Sequence, residues 1–440
     1  MKLFFKQTRL FTSESICLFL LLVITLIRFT GLETAPPGFY VDEAVGAAQT
    51  ICIKETGEDL FRNSLPLFSP GLGAGYYTAP FLYGEAIWTS VFGNSIGAFR
   101  SFVGFVTLCT FIFLSLWLMK RVSRNAALIG ALLGSISPWA FQFSRISWDP
   151  PLAPFFLVFG LWCFDLKKKW GWIAGALAFA LASYAYPSSR IQAVALLFLV
   201  PELKLVTKIK ALLLFALANI PLLYRSLVDP DFTARAKLMV LWSGYPGNPY
   251  HEANLLGLIT AFITNFFLHL SPQFLLFSGD ANLRHSTQVQ GMLSYPEAFL
   301  LIAGLFYFVF VSWKNKKILI QPTILFALAG ITLGIAPAAL TWEGVPHALR
   351  AIGAWPFFVI LAALMYDRIS KMIPHFSKFF LLFCALSGAY YFYDYFTRYP
   401  IVSNAWFQTE QNYLGRAYGL LTEGHISCKT LQRGSVHGSF

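Results

Sequence analysis

Charge is what this 440-residue chain has least of: Asp, Glu, Lys and Arg together make up 12% of it, about half the share found in soluble globular proteins. Too few polar side chains remain to cover a soluble surface of that size, which excludes a soluble enzyme. The same apolar excess excludes a disordered chain. Cysteine is scarce too, with six residues and no CxxC pair, which excludes a secreted disulfide scaffold. Cys17, Cys109, Cys163 and Cys384 fall in apolar runs and read as small buried side chains. Cys52 and Cys428 lie outside those runs, where a disulfide between them is one option. Internal repeats and low-complexity segments are also lacking. What is present is apolar: 57% hydrophobic residues, 45 of them Phe, and a mean hydropathy of +0.60. The runs are long and continuous rather than alternating, which points to an all-α polytopic membrane protein and not to a β-barrel.

A membrane-spanning helix needs about 20 apolar residues. Runs at 15–31, 95–119, 126–143, 150–164, 170–186, 191–200, 209–224, 296–313, 320–340, 351–366 and 376–396 predict about 11 transmembrane helices, 191–200 being the shortest. The first run follows Lys2, Lys6 and Arg9 and lacks a small-residue cleavage site, so it reads as an uncleaved signal anchor. Basic clusters recur at every second connection: the N-terminal three, then Lys120/Arg121/Arg124, Lys167/Lys168/Lys169, Lys204/Lys208/Lys210, Lys314/Lys316/Lys317 and Arg368/Lys371/Lys378. The positive-inside rule makes these loops and the N-terminus cytoplasmic, in a plasma (inner) membrane. They hold 18 basic residues against Glu14, Asp165, Glu202 and Asp367, a net +14, which leaves −2 for the rest of a chain whose net charge is +12. The positive charge therefore reports topology and membrane lipid, not nucleic acid.

Two long connections, 32–94 and 225–295, fall on the extracytoplasmic side. Their apolar stretches 76–92 and 255–277 would break the charge parity if they crossed, so they read as interfacial or re-entrant helices. The predicted organisation is a transmembrane catalytic unit over 1–396 and a short outer tail over 397–440.

Polar residues gather on the outer face. PPGFYVDEA carries Asp42 and Glu43, SRISWDPP carries Arg145 and Asp149, and YAYPSSR carries Tyr184 and Arg190. GDANLRHS carries Arg284 and His285, and WEGVPHALR carries His347 and Arg350. Each cluster alone suits a helix cap or a snorkelling side chain. Together they converge on one membrane face, where charges must pair or line a cavity. A phosphate-bearing ligand accounts for Arg and His, and acid–base chemistry accounts for Asp.

A first span followed at once by a large outer loop with a DE pair, and then many spans with short turns, resembles the GT-C superfamily of polyprenyl-phosphate-sugar-dependent glycosyltransferases. YVDEA, ISPWAFQFSRISWDP, YAYPSSR, GDANLRHS and PHALRA are similar to blocks of the branch akin to protein O-mannosyltransferases and the lipid A aminoarabinose transferase. The resemblance runs over about 18–350. It implies a polyprenyl-phosphate-linked sugar donor and an acceptor hydroxyl on a protein, a lipopolysaccharide or another lipid-linked glycan. It implies transfer with inversion, Asp42 as general base, and Glu43 orienting it or binding the acceptor. Arg145, Asp149, Tyr184, Arg190, Arg284, His285, His347 and Arg350 become the substrate-binding set, with the cationic members stabilising the departing phosphate. Several branches hold a divalent cation through an acid in the second outer loop, which makes Asp149 the metal candidate. Val45 and Gly46 replace the aromatic or Arg that often follows DEA in that branch, which bears on acceptor or sugar contacts. A transporter or flippase and an O-antigen ligase or polymerase are the competing readings. No repeat supports the first, and a DE pair directly after the first span disfavours the second.

Overall fold

A computed structural model describes residues 12–71, 75–166, 168, 170–201, 203–315, 321–407 and 428–429. Lys2, Lys6, Arg9, Lys167, Lys169, Glu202, Lys316, Lys317 and most of the expected 397–440 tail lie outside the described residues. Eighteen α-helices and one two-stranded hairpin make up the described chain.

Four expected spans form single long apolar helices: α4 (Ile96–Leu118), α15 (Pro322–Ala339), α16 (Trp355–Met372) and α17 (Phe376–Thr397). Others are shorter or broken. The 126–143 run divides into α5 (Arg124–Ile136) and α6 (Pro138–Phe143) because Pro138 removes an amide donor and opens a new helix. The 209–224 run forms α10 (Leu205–Ala218) and α11 (Ile220–Val228), which bend by 45°; Pro221 stands at the start of the second piece. Runs four to six become α7 (Leu152–Phe164), α8 (Gly171–Ala185) and α9 (Ser189–Leu199), and 296–313 becomes α14 (Tyr295–Asn315). By length and composition five helices can cross a membrane, or six if the bent pair counts as one.

The fifth is Leu255–Phe277, built from α13 (Leu255–His269) and a π-helical turn. It meets the same criterion as the four spans above, whereas charge parity assigns it to the surface. The 76–92 run differs from it. It supplies a strand and the 14-residue α3 (Ala79–Phe92), about 21 Å of helix, too short for a hydrocarbon core of about 30 Å.

Helix α5 occupies the middle of the bundle. Every residue from Ala126 to Ile136 is buried, and Gly130 and Gly134 admit Leu118 and Ala363, and Phe111 and Trp355, respectively. Small residues let neighbouring backbones approach where lipid offers no hydrophobic drive. The outward faces are apolar: Phe19, Leu22 and Leu26 on α1 (Ser13–Phe29), Leu305, Phe306 and Phe310 on α14, and Phe379, Leu382 and Leu386 on α17 are exposed. Such a surface belongs in lipid, and the chain is a multi-pass membrane protein.

At one end of the bundle the 30–94 connection folds into α2 (Val41–Thr56), the hairpin β1 (Phe68–Pro70) and β2 (Tyr76–Thr78), and α3. The second long connection contributes α12 (Pro230–Met239) and the 278–294 segment to the same end. Cys52 on α2 is disulfide-bonded to Cys428, the pairing left open by the sequence. The bond ties the outer loop to the C-terminal tail.

Candidate active site

Three buried arginines build the floor of the site. Arg100 on α4 donates to the Leu32, Pro36 and Gly38 carbonyls at 2.7–2.8 Å. It also grips Glu43 through Nε–Oε2 and Nη2–Oε1, both at 2.8 Å. Arg145 spends its donors on the carbonyls of Ile27, Arg28, Thr30, Gly31 and Ala35. Those carbonyls include the last turn of α1, which has no intrahelical partners of its own. Arg28 returns across to the Ser135 and Ala140 carbonyls and the Ser144 hydroxyl. The 30–40 segment is thereby locked, and α2 begins at a defined point.

These contacts bear on two of the expected residues. Arg145 was expected to bind substrate; fully buried and committed to carbonyls, it has no donor left for a phosphate. Glu43 was expected to orient Asp42 or to bind the acceptor. It accepts from Arg100, from the Ser147 amide at 3.0 Å and from the Tyr40 amide at 3.3 Å, so it positions the loop.

Asp42 stands in the first turn of α2, one residue from that anchor, and is half-buried. Its carboxylate makes no hydrogen bond among the described residues. Its own carbonyl accepts from the Tyr77 hydroxyl at 2.5 Å. Burial raises the Asp42 pKa, and the nearby charges of Arg235 and Arg284 pull it back. Asp149 faces the same space: burial pushes it up to about 8, and the charge of Asp42 adds to the rise. Beneath them Glu85 is completely buried, hydrogen-bonded to Thr50 Oγ1 at 2.8 Å and to the Ser147 hydroxyl, and burial likewise lifts it to about 8.

Arg284 lies over the Tyr40 ring at 4.1 Å, and its charge acts on Asp42. Arg235, on α12, was not singled out in the sequence, where it is one charge among several in PDFTARAK. It is exposed and makes no hydrogen bond among the described residues, and its charge acts on Asp42, Tyr40, Tyr186 and His347.

The remaining expected residues divide into two groups. Tyr184 and Arg190 lie on an aromatic patch. Tyr184 stacks on Phe68 of β1 at 5.6 Å, and the Arg190 guanidinium covers Phe232 of α12 at 5.5 Å. They dock the hairpin and α12 onto the bundle instead of facing Asp42. His285, His347 and Arg350 lie together in the 278–294 and 341–351 segments. His285 Nδ1 is 2.8 Å from Asp280 Oδ2, and its ring is 4.7 Å from that of His347. Arg350 is held by Thr341 Oγ1 at 3.0 Å and by the Glu343 carbonyl at 2.7 Å. Trp148 joins this group to the first, with ring centroids 5.8 Å from Tyr40 and 5.9 Å from His285.

The charge of Asp42 acts on Asp149, and burial disfavours the charged form of each carboxyl group. That oxygen donor set fits a hard divalent cation.

No family model and no curated protein matches the chain. Solved structures do. ArnT from Cupriavidus metallidurans in the apo state is similar at 13% identity over 82% of this chain and 61% of that one, with a TM-score of 0.49. The Archaeoglobus fulgidus oligosaccharyltransferase in the apo form is similar at 13% identity over 89% and 56%, also at 0.49. ArnT from Cupriavidus metallidurans bound to undecaprenyl phosphate aligns at 11% identity over 96% and 76%, at 0.47. The chain spans about three-fifths of the length of the first two.

Proposed function

We propose that this chain is a GT-C-type membrane glycosyltransferase that moves a sugar from a polyprenyl-phosphate donor to an acceptor hydroxyl on the extracytoplasmic face. One observation carries the reading: Asp42, with no hydrogen bond to its carboxylate, shares a half-buried space with Asp149 and is flanked by Arg235 and Arg284.

The acceptor hydroxyl attacks the anomeric carbon as its proton passes to Asp42. The bond from that carbon to the phosphate oxygen breaks, the electron pair leaves with polyprenyl phosphate, and the configuration inverts. A carboxylate whose pKa lies above the ordinary range is the stronger base, and one without hydrogen bonds can accept the proton. Charge grows on the departing phosphate, and fixed guanidinium groups stabilise it more in the transition state than before. Arg284 and Arg235 fill that role. Glu43 and Arg100 hold Asp42 in place. Asp42 and Asp149 would hold a divalent cation, which would supply further positive charge to the phosphate.

The Cys52–Cys428 disulfide supports the orientation, because such bonds persist in oxidising compartments. On this reading α2, and with it Asp42, faces the outside. The acceptor is a protein, a lipopolysaccharide or a lipid-linked glycan. Transfer from a polyprenyl-phosphate sugar, measured in membranes holding wild type or Asp42→Asn, tests the proposal. A loss of about 100-fold or more is expected, and undiminished transfer by the variant removes Asp42 from the mechanism.

A further inference from the structure

The histidine cluster beside the Asp42 space plays no part in the transfer chemistry described above. Asp280, His285 and His347 each offer a ligand atom, and the three atoms lie within 4.8 Å of one another. The hydrogen bonds indicate which atoms are available. The Asp280 carboxylate accepts from His285 Nδ1–H and from the Ala348 amide, both at Oδ2 and 2.8 Å, and from the Asn282 amide at Oδ1, also 2.8 Å. His285 Nδ1 and Asp280 Oδ2, 2.8 Å apart, stand at the separation of two ligand atoms on one ion, which would replace the proton between them. His347 Nδ1 accepts from the Arg350 amide at 3.3 Å, which leaves its Nε2. Neither Nε2 makes a hydrogen bond among the described residues. His269 is near but excluded: Nδ1 donates to the Asn265 carbonyl at 2.7 Å and Nε2 accepts from the His347 amide at 2.9 Å, so both its nitrogens are spent.

We propose that Asp280, His285 and His347 form a binding site for a borderline divalent cation of the Zn²⁺ type, which clamps the 278–294 segment to the 341–351 turn. Two imidazoles and a carboxylate are the donor set that such ions prefer over Mg²⁺ or Ca²⁺, which select oxygen. The site differs in place and chemistry from the Asp42–Asp149 pair, and it does not depend on the proposed transfer reaction.

The test uses the full-length chain in detergent, untagged, stripped with a chelator and dialysed against Zn²⁺ or Co²⁺. Metal content per chain, the visible absorption of the Co²⁺ form and the melting temperature are the readouts. One Zn²⁺ per chain is expected, with Co²⁺ bands of a nitrogen-containing site and a melting temperature that falls on chelation. His285→Ala and His347→Ala should each weaken binding at least 10-fold, while Asp42→Asn leaves it unchanged. Wild type that retains no stoichiometric Zn²⁺, or histidine variants that bind as wild type does, would overturn the proposal. Should either variant fail to fold, the Co²⁺ spectrum of wild type decides. Bands of an all-oxygen octahedral ion would refute nitrogen ligation.

Discussion

At the scale of single residues, the site separates groups that act from groups that hold. Asp42 and Glu43 are adjacent in sequence and alike in chemistry, yet only Glu43 has its carboxylate consumed by a guanidinium. Breaking a buried pair strands a charge at a cost of about 3–5 kcal/mol. Arg100→Ala should therefore lower the yield and melting temperature of the protein, whereas Asp42→Asn should leave both near wild type and remove transfer. Fluorescence-detected size exclusion on heated samples distinguishes the two. Asp149 sets a pH dependence. Its folded pKa, about 8, lies above that of a free carboxyl, so protons compete with any cation it binds as pH falls through that value. Divalent-cation affinity at this pair should rise with pH between about 7 and 9, and Asp149→Asn should flatten that rise in a binding titration. The DE pair was legible in the sequence, because its place directly after the first span carries the family resemblance. Arg235 was not: nothing in PDFTARAK distinguishes a charge that faces a cleft from one that faces water.

At the scale of elements, the sequence was informative about where helices occur and less so about their ends. Continuous apolar runs forecast α4, α15, α16 and α17 because one property, a length of hydrocarbon, specifies them. Where proline interrupts a run, as at Pro138 and Pro221, hydropathy saw one helix and the backbone made two. The role of Arg145 was hidden for another reason. Its partners are carbonyls more than 100 residues away, and carbonyls leave no trace in side-chain identity. The 30–40 loop that it holds has little room. Gly38 has a φ of +71°, and a Cβ there would lie 2.7 Å from the Phe407 carbonyl oxygen. Gly38→Ala should destabilise by about 1–3 kcal/mol and reduce transfer through displacement of α2, measured as a lower melting temperature together with a lower kcat. On the opposite wall, Phe232→Ala removes the ring on which Phe68, Tyr76 and Arg190 converge. With α12 loosened, Arg235 loses its position, and the KM for the polyprenyl-phosphate donor should rise several-fold while the melting temperature changes little.

For the whole molecule, charge placement and the disulfide support the same proposed orientation by independent physics, one through basic loops held inside and the other through a redox compartment outside. Labelling of engineered cysteines checks both at once: Glu58→Cys should react with a membrane-impermeant thiol reagent in intact cells and Lys168→Cys only after lysis. The reverse pattern would invert the assignment. The bond between Cys52 and Cys428 also has a consequence for the life of the chain. It joins positions 376 residues apart, so it can close only after residue 428 has been made, and it then makes the stretch between Cys52 and Cys428 a covalent ring. A protease that cuts any single loop inside that ring opens it without releasing a fragment. The nicked protein should migrate as one species without reductant and as two with it, so a non-reducing gel records whether the ring had closed before each molecule was damaged.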